Sequence, residues 1–249
     1  MSRYNLSLIL AIFFLNLSVL NAETIYIHVE EDCLNRFEYI LNGNKQGDIF
    51  VSYQYEIGQN KTVVLEVEKE NRKWTKERPA NMLSCQSVGM NKRLVQKINS
   101  GETRIFMVRS TDTHYNLTTV KKAIFYEKVA NTIELTSRDA NFVFNYQNLR
   151  SGIDIAMPNS EMDVYLEGTV TNQCIKGYIV RRSKGYDTKS FKEWTLVPEI
   201  GIVEKRALST SIRGGEKKNV FKLDKVNHLN YNDYLSEICT AKQADIIDN

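Results

Sequence analysis

A period of two runs through most of this chain. Ile25, Ile27 and Val29 fall on one side of the opening run Thr24–Val29, and the alternation returns with Ile49, Val51, Tyr53 and Tyr55 and with Val63, Leu65 and Val67. Successive side chains of a strand point to opposite faces, so such runs mark strands with one buried face. In the third run Thr62, Glu66 and Glu68 are then expected on the solvent side. A chain built this way folds chiefly as sheet. The expectation is a mainly β protein of antiparallel β-sandwich or half-barrel units with a short C-terminal helix.

The connections agree. Asn42-Gly43 suits the positive φ of a tight turn between two strand-like runs. "KKAIFYEKV" and "NTIELTS" read as a pair, "NFVFNY" places Phe142, Phe144 and Tyr146 on one face, and "EMDVYLEGTV", "KGYIVRRS" and "VFKL" continue the pattern. Arg93 to Ile98 reads as a further strand before a turn at Asn99-Ser100-Gly101. One helical spacing stands out, with Tyr231, Tyr234, Leu235 and Ile238 at i, i+3, i+4 and i+7 and Asn230 as N-cap. The tail after Thr240 is expected to fray. The polar stretch near Ser137 divides the chain into β-rich regions 23–136 and 137–249, with one domain as the alternative.

The first residues point to export. A single cation at Arg3, an apolar run from Leu6 to Leu20 and then Asn21-Ala22 have the order of a signal peptide, 1–22, cleaved after Ala22. No later run is apolar enough to span a membrane. The formal charge of +3 is scattered along the chain, which excludes the concentrated positive field that nucleic acid requires. The expected place is the periplasm, the cell surface or the medium. Cys33, Cys85, Cys174 and Cys239 are too far apart for a zinc site and too even in number to ignore as disulfides. Proximity suggests Cys33 with Cys85 and Cys174 with Cys239.

The chain is poor in catalytic motifs. His28, His114 and His228 fall on different elements, and neither a nucleophile elbow nor a glycine-rich nucleotide loop is present. No metal and no cofactor is therefore expected. Asp154, Glu161 and Asp163 flank Pro158 and are the candidate carboxylates for a glycan hydrolase. Arg181, Arg182, Tyr186 and Trp194, with Arg213, Lys217 and Lys218 on a later turn, combine cations and aromatic faces suited to an acidic glycan. Three functions follow. The leading one is a non-enzymatic binding or structural protein whose partner is a protein or an acidic glycan at the cell surface. The others are the hydrolase and a carrier holding an apolar ligand among Phe142, Phe144, Tyr146 and Trp194.

The sharpest pattern is "EWTLVPEIGIVEKRAL", Glu193 to Leu208. Trp194 and Leu196 alternate as strand residues, and Pro198 cannot donate a ladder hydrogen bond, which places it at an edge or bulge. Gly201 then permits a bend, Trp194 is a core residue, and Glu199 and Glu204 are structural.

Overall fold

The computed structural model describes residues 22–29, 34–43, 49–57, 60–67, 73–138, 141–146, 163–183, 190–210 and 215–247. The strands are β1 (Glu23–His28), β2 (Asn35–Leu41), β3 (Ile49–Ile57), β4 (Lys61–Val67), β5 (Lys73–Thr75), β6 (Met82–Ser84), β7 (Thr103–Ser110) and β8 (Tyr115–Val129). There follow β9 (Thr132–Ser137), β10 (Asn141–Asn145), β11 (Asp163–Asn172), β12 (Ile175–Ser183), β13 (Phe191–Val197), β14 (Gly201–Thr210), β15 (Glu216–Val226) and β16 (Leu229–Asn230). Two helices are present among the described residues, α1 (Lys92–Ser100) and α2 (Tyr231–Ile247).

The strands pair in the order β11-β12-β13-β14-β15-β2-β3-β4-β8-β7-β1-β6. Pairing is antiparallel except at β1, which runs parallel to β6 and β7 and makes the sheet mixed. β8 is 15 residues long and changes partners along its length. Its first residues pair with β5 and β7, and from Val120 onward it pairs with β4 and β9, which in turn pairs with β10.

Three buried clusters show how the sheet is folded. Ile27, Val63, Leu65, Val95, Ile105 and Met107 lie between β3, β4 and β8 on one side and β1, β7 and α1 on the other. Val64, Ile124, Leu135 and Phe142 pack against Leu166, Val180, Trp194, Leu196 and Ile202. These come from strands far apart in the pairing order, so the sheet coils until β4 and β8–β10 meet β11–β14 face to face. The third cluster, with Phe37, Tyr39, Val197, Leu223 and Leu235, lies under α2.

The coiling overturns one expectation. Val63 and Val64 belong to different clusters, so β4 is buried on both faces and Glu66 is only 7% exposed. The face expected to meet solvent is the interior of the coil. Glu68 lies outside the described residues.

The Arg93–Ile98 run is also corrected, since it forms α1 and not a strand. The Asn91 side chain accepts the Leu94 backbone N–H at 3.0 Å, a cap that contributes about 1 kcal/mol. Gly101, at φ +84, closes the helix in the left-handed region that a side chain would strain. Val95 is buried, and Leu94 and Ile98 pack beside it, the spacing of a helical stripe.

At the C-terminus Asn230 caps α2 as expected, its side-chain oxygen accepting the N–H groups of Asn232 and Asp233 at 3.1 Å each. Leu235 and Cys239 are buried one turn apart, and a Cys174–Cys239 disulfide ties the helix to the β11–β12 hairpin. Helix continues to Ile247, past the expected fraying point at Thr240. Ala241, Lys242, Gln243 and Ala244 are good helix formers, and Lys242 pairs with Glu199 at 2.7 Å. Cys85 is buried and disulfide-bonded; Cys33 lies outside the described residues. Among the described residues no helix is long and apolar enough to cross a membrane.

Candidate functional site

The site is built on the β13–β14 hairpin. Ile200 donates its backbone N–H to the carbonyl of Val197 at 3.0 Å, closing a turn with Pro198 at its second position, where the fixed φ of proline is favoured. Pro198 thus occupies a tight turn and not a strand edge or bulge, because the turn asks no N–H of it. Gly201 follows at φ +98 and returns the chain into β14, opposite Val197. The bulge of this hairpin falls instead between Thr195 and Leu196.

The register that follows puts Trp194 directly across from Lys205 on one side and from Val180 on the other. These three side chains share the inner face. Trp194 is 6% exposed, with its ring 6.2 Å from that of Phe142. Beside it lies a cavity of about 290 Å³ whose wall includes Trp194, Phe50, Phe221, Ile124, Glu66 and Lys205. Lys205 Nζ is ion-paired with Glu66 and stands 4.9 Å from the centre of the Phe50 ring, within cation–π range. Burial disfavours the ammonium and lowers the Lys205 pKa to about 7, while the Glu66 carboxylate pulls the other way. Lys122 lies opposite Glu66 in register, and Lys192 opposite Ala207; both line the same cavity.

A second cavity of about 300 Å³ lies at the other end of the same strands, lined by Gln54, Thr62, Tyr126, Glu199, Gly201 and Tyr234 among others. It is crossed by polar ties. The Tyr126 hydroxyl donates to the carbonyl of Val197 at 3.4 Å, and Glu199 holds Lys242 of α2. Burial, and then the nearby Glu199 charge, push the Tyr126 hydroxyl pKa well above its ordinary range. Between the cavities Tyr39, 1% exposed, donates its hydroxyl to the carbonyl of Ile202 at 2.8 Å.

The residues singled out by sequence scatter. Arg181 and Arg182, being adjacent on β12, point to opposite faces. Arg182 shares the inner face of Val180 and Trp194, and Arg181 does not. Arg181 instead grips Glu193 through Nε at 3.1 Å and Nη2 at 2.8 Å, with its guanidinium 4.2 Å from the centre of the Phe191 ring. Glu193 also meets Arg206 at 3.5 Å, and Arg206 and Lys222 both reach Glu204, so the outer face carries a ladder of paired charges. Tyr186, Arg213, Asp154 and Glu161 lie outside the described residues. Asp163 opens β11 in register with Ser183, and Lys217 and Lys218 are exposed on β15. Of the expected carrier residues, Phe142 is core at 1% exposure, the Tyr146 ring lies tilted 5.4 Å from that of Tyr178, and Trp194 lines the cavity.

Glu66, Lys205, Phe50 and Phe221 escaped the sequence reading. The signal for the first is the run "TVVLEV", apolar at consecutive positions, which marks a strand buried on both faces. A carboxylate inside such a strand needs a cation across the interior. Compared with known proteins, the chain matches no family model, no curated protein and no solved structure.

Proposed function

We propose that the protein is an exported, non-enzymatic binding protein that holds a small, partly apolar ligand in the cavity between Trp194 and Lys205. The observation that carries this reading is the make-up of the cavity wall: two phenylalanines, a tryptophan and an isoleucine set among charged residues, the Lys205–Glu66 pair with Lys121, Lys122, Lys192, Glu193 and Arg206. Ligand sites are apolar concavities with a few placed polar groups, and 290 Å³ sits at the small end of their usual range of about 300–1,000 Å³. The carboxylates that line it support binding over hydrolysis, because Glu66 is held by Lys205 and Glu193 by Arg181. Export is supported by the apolar run Leu6–Leu20 and by the disulfide chemistry of Cys85, Cys174 and Cys239.

Calorimetric titration with 1-octanol tests the reading. The wild type should bind saturably. Ala207→Trp, which fills the cavity from its wall, should abolish binding, and Thr62→Trp, at the far cavity, should not. No saturable binding by the wild type, or undiminished binding by a folded Ala207→Trp protein, would overturn it.

A further inference from the structure

We infer that the ligand of this cavity carries a carboxylate head that docks on Lys205, with its apolar part against Trp194, Phe50 and Phe221; this rests on the cavity being a ligand site. A cavity of about 290 Å³, at the small end of the usual range for ligand sites, suits a short acyl chain or a single substituted ring.

The head group is chosen by charge. Lys205 is the cation set deepest among the aromatic walls, over the face of Phe50 and across from Trp194. A buried ammonium that has exchanged its water for one carboxylate still has donors to give, since –NH3+ carries three. A second oxyanion arriving at Lys205 gains a charge-assisted hydrogen bond in a medium of low dielectric and relieves the burial that disfavours the charge. A cationic head would instead be placed against Lys205, Lys122 and Lys192, all of which line the same space. The contact is assigned to Lys205 because its ammonium stands over the Phe50 ring and directly across from Trp194.

The test compares octanoate, 1-octanol and octylamine on the full chain at one ionic strength, by calorimetry. Octanoate should bind about tenfold more tightly than octanol, the worth of roughly one charge-assisted hydrogen bond, and octylamine should bind least. Glu66→Gln, which removes the competing carboxylate, should widen the preference for octanoate over octanol, and Lys205→Met should erase it. If Lys205→Met does not fold, the wild-type ranking and the Glu66→Gln protein decide alone. Octanol binding as tightly as octanoate, or octylamine binding best, overturns the head-group assignment while leaving the cavity as a ligand site. Failure of all three to bind overturns both.

Discussion

The two ends of the coiled sheet use the same strands and differ in what closes them. At one end the chain turns tightly through Pro198 and Gly201, Tyr126 hydrogen-bonds that turn, and Lys242 of α2 clasps Glu199. At the other, Trp194, Phe50 and Phe221 stand around the Glu66–Lys205 pair, and Lys121, Lys122 and Lys192 line the space beside them. The two cavities are nearly equal, about 290 and 300 Å³. Volume therefore does not distinguish a ligand site from a structural seam here; the chemistry of the wall does. One end spends its polar groups on itself, and the other keeps an ion pair against aromatic rings.

The contrast can be broken most forcefully at Trp194. Trp194→Ala removes a large buried group from the second cluster and should cost about 3–5 kcal/mol in chemical denaturation, out of a total of about 5–15 for an ordinary domain. A folded variant of wild-type stability would show that Trp194 is not a core residue at all. Next in size is the ion pair. Lys205→Met leaves Glu66 without its cation, and the loss should be about 2–3 kcal/mol, below the ~3–5 of a wholly buried pair, since the two side chains retain 17% and 9% of their surface. Replacing both, Glu66→Leu with Lys205→Met, should recover most of the loss, and a double variant as unstable as the single would remove the ion pair from the explanation.

At the closed end the expected effect is smaller. Gly201→Val meets no nearby backbone, its nearest atom being Gln54 Oε1 at 3.9 Å, so the cost is the φ of +98 and should be about 1–3 kcal/mol. A neutral result would mean that the turn relaxes and that this end is less rigidly closed than its bonds suggest. The last effect is that of pH. Burial lowers the Lys205 pKa below the ~10.4 of the unfolded chain, and the Glu66 carboxylate paired with it restores part of the charge, so the slope is shallow. Between the folded and unfolded pKa values the unfolded chain holds more protons, so stability rises as pH rises from about 7 toward 10. Above pH 10 the buried Tyr39 and Tyr126, whose pKa values are raised, reverse the trend. Urea midpoints measured across this range should show the rise in the wild type and a flatter profile in Lys205→Met; equal slopes would remove Lys205 as its source.

The strands and the C-terminal helix were legible because alternation and capping are local. Ile25, Ile27 and Val29, or Asn230 before Tyr231, carry their meaning within a few residues. α1 was misread although Asn91 and Gly101 bracket it, because a nine-residue helix with Leu94, Val95 and Ile98 resembles a short apolar strand when its caps are not weighed. The site was not legible for a different reason. Glu66 and Lys205 are 139 residues apart in sequence, and nothing local reveals that the coil brings them together. Trp194 stands out in the sequence by its alternation with Leu196, whereas its pairing with Lys205 depends on the bulge at Thr195–Leu196, which sets every register beyond it.

Trp194 itself offers the most direct test that the Lys205 end is where ligand binds. The chain has two tryptophans, and Trp74 is 61% exposed on β5, so Trp74→Phe leaves Trp194 as the only reporter, set in the cavity wall. Titrating that protein with octanoate should shift the Trp194 emission saturably, with the same midpoint found by calorimetry. Binding by calorimetry with no change in Trp194 emission would place the ligand elsewhere and contradict the assignment of the site.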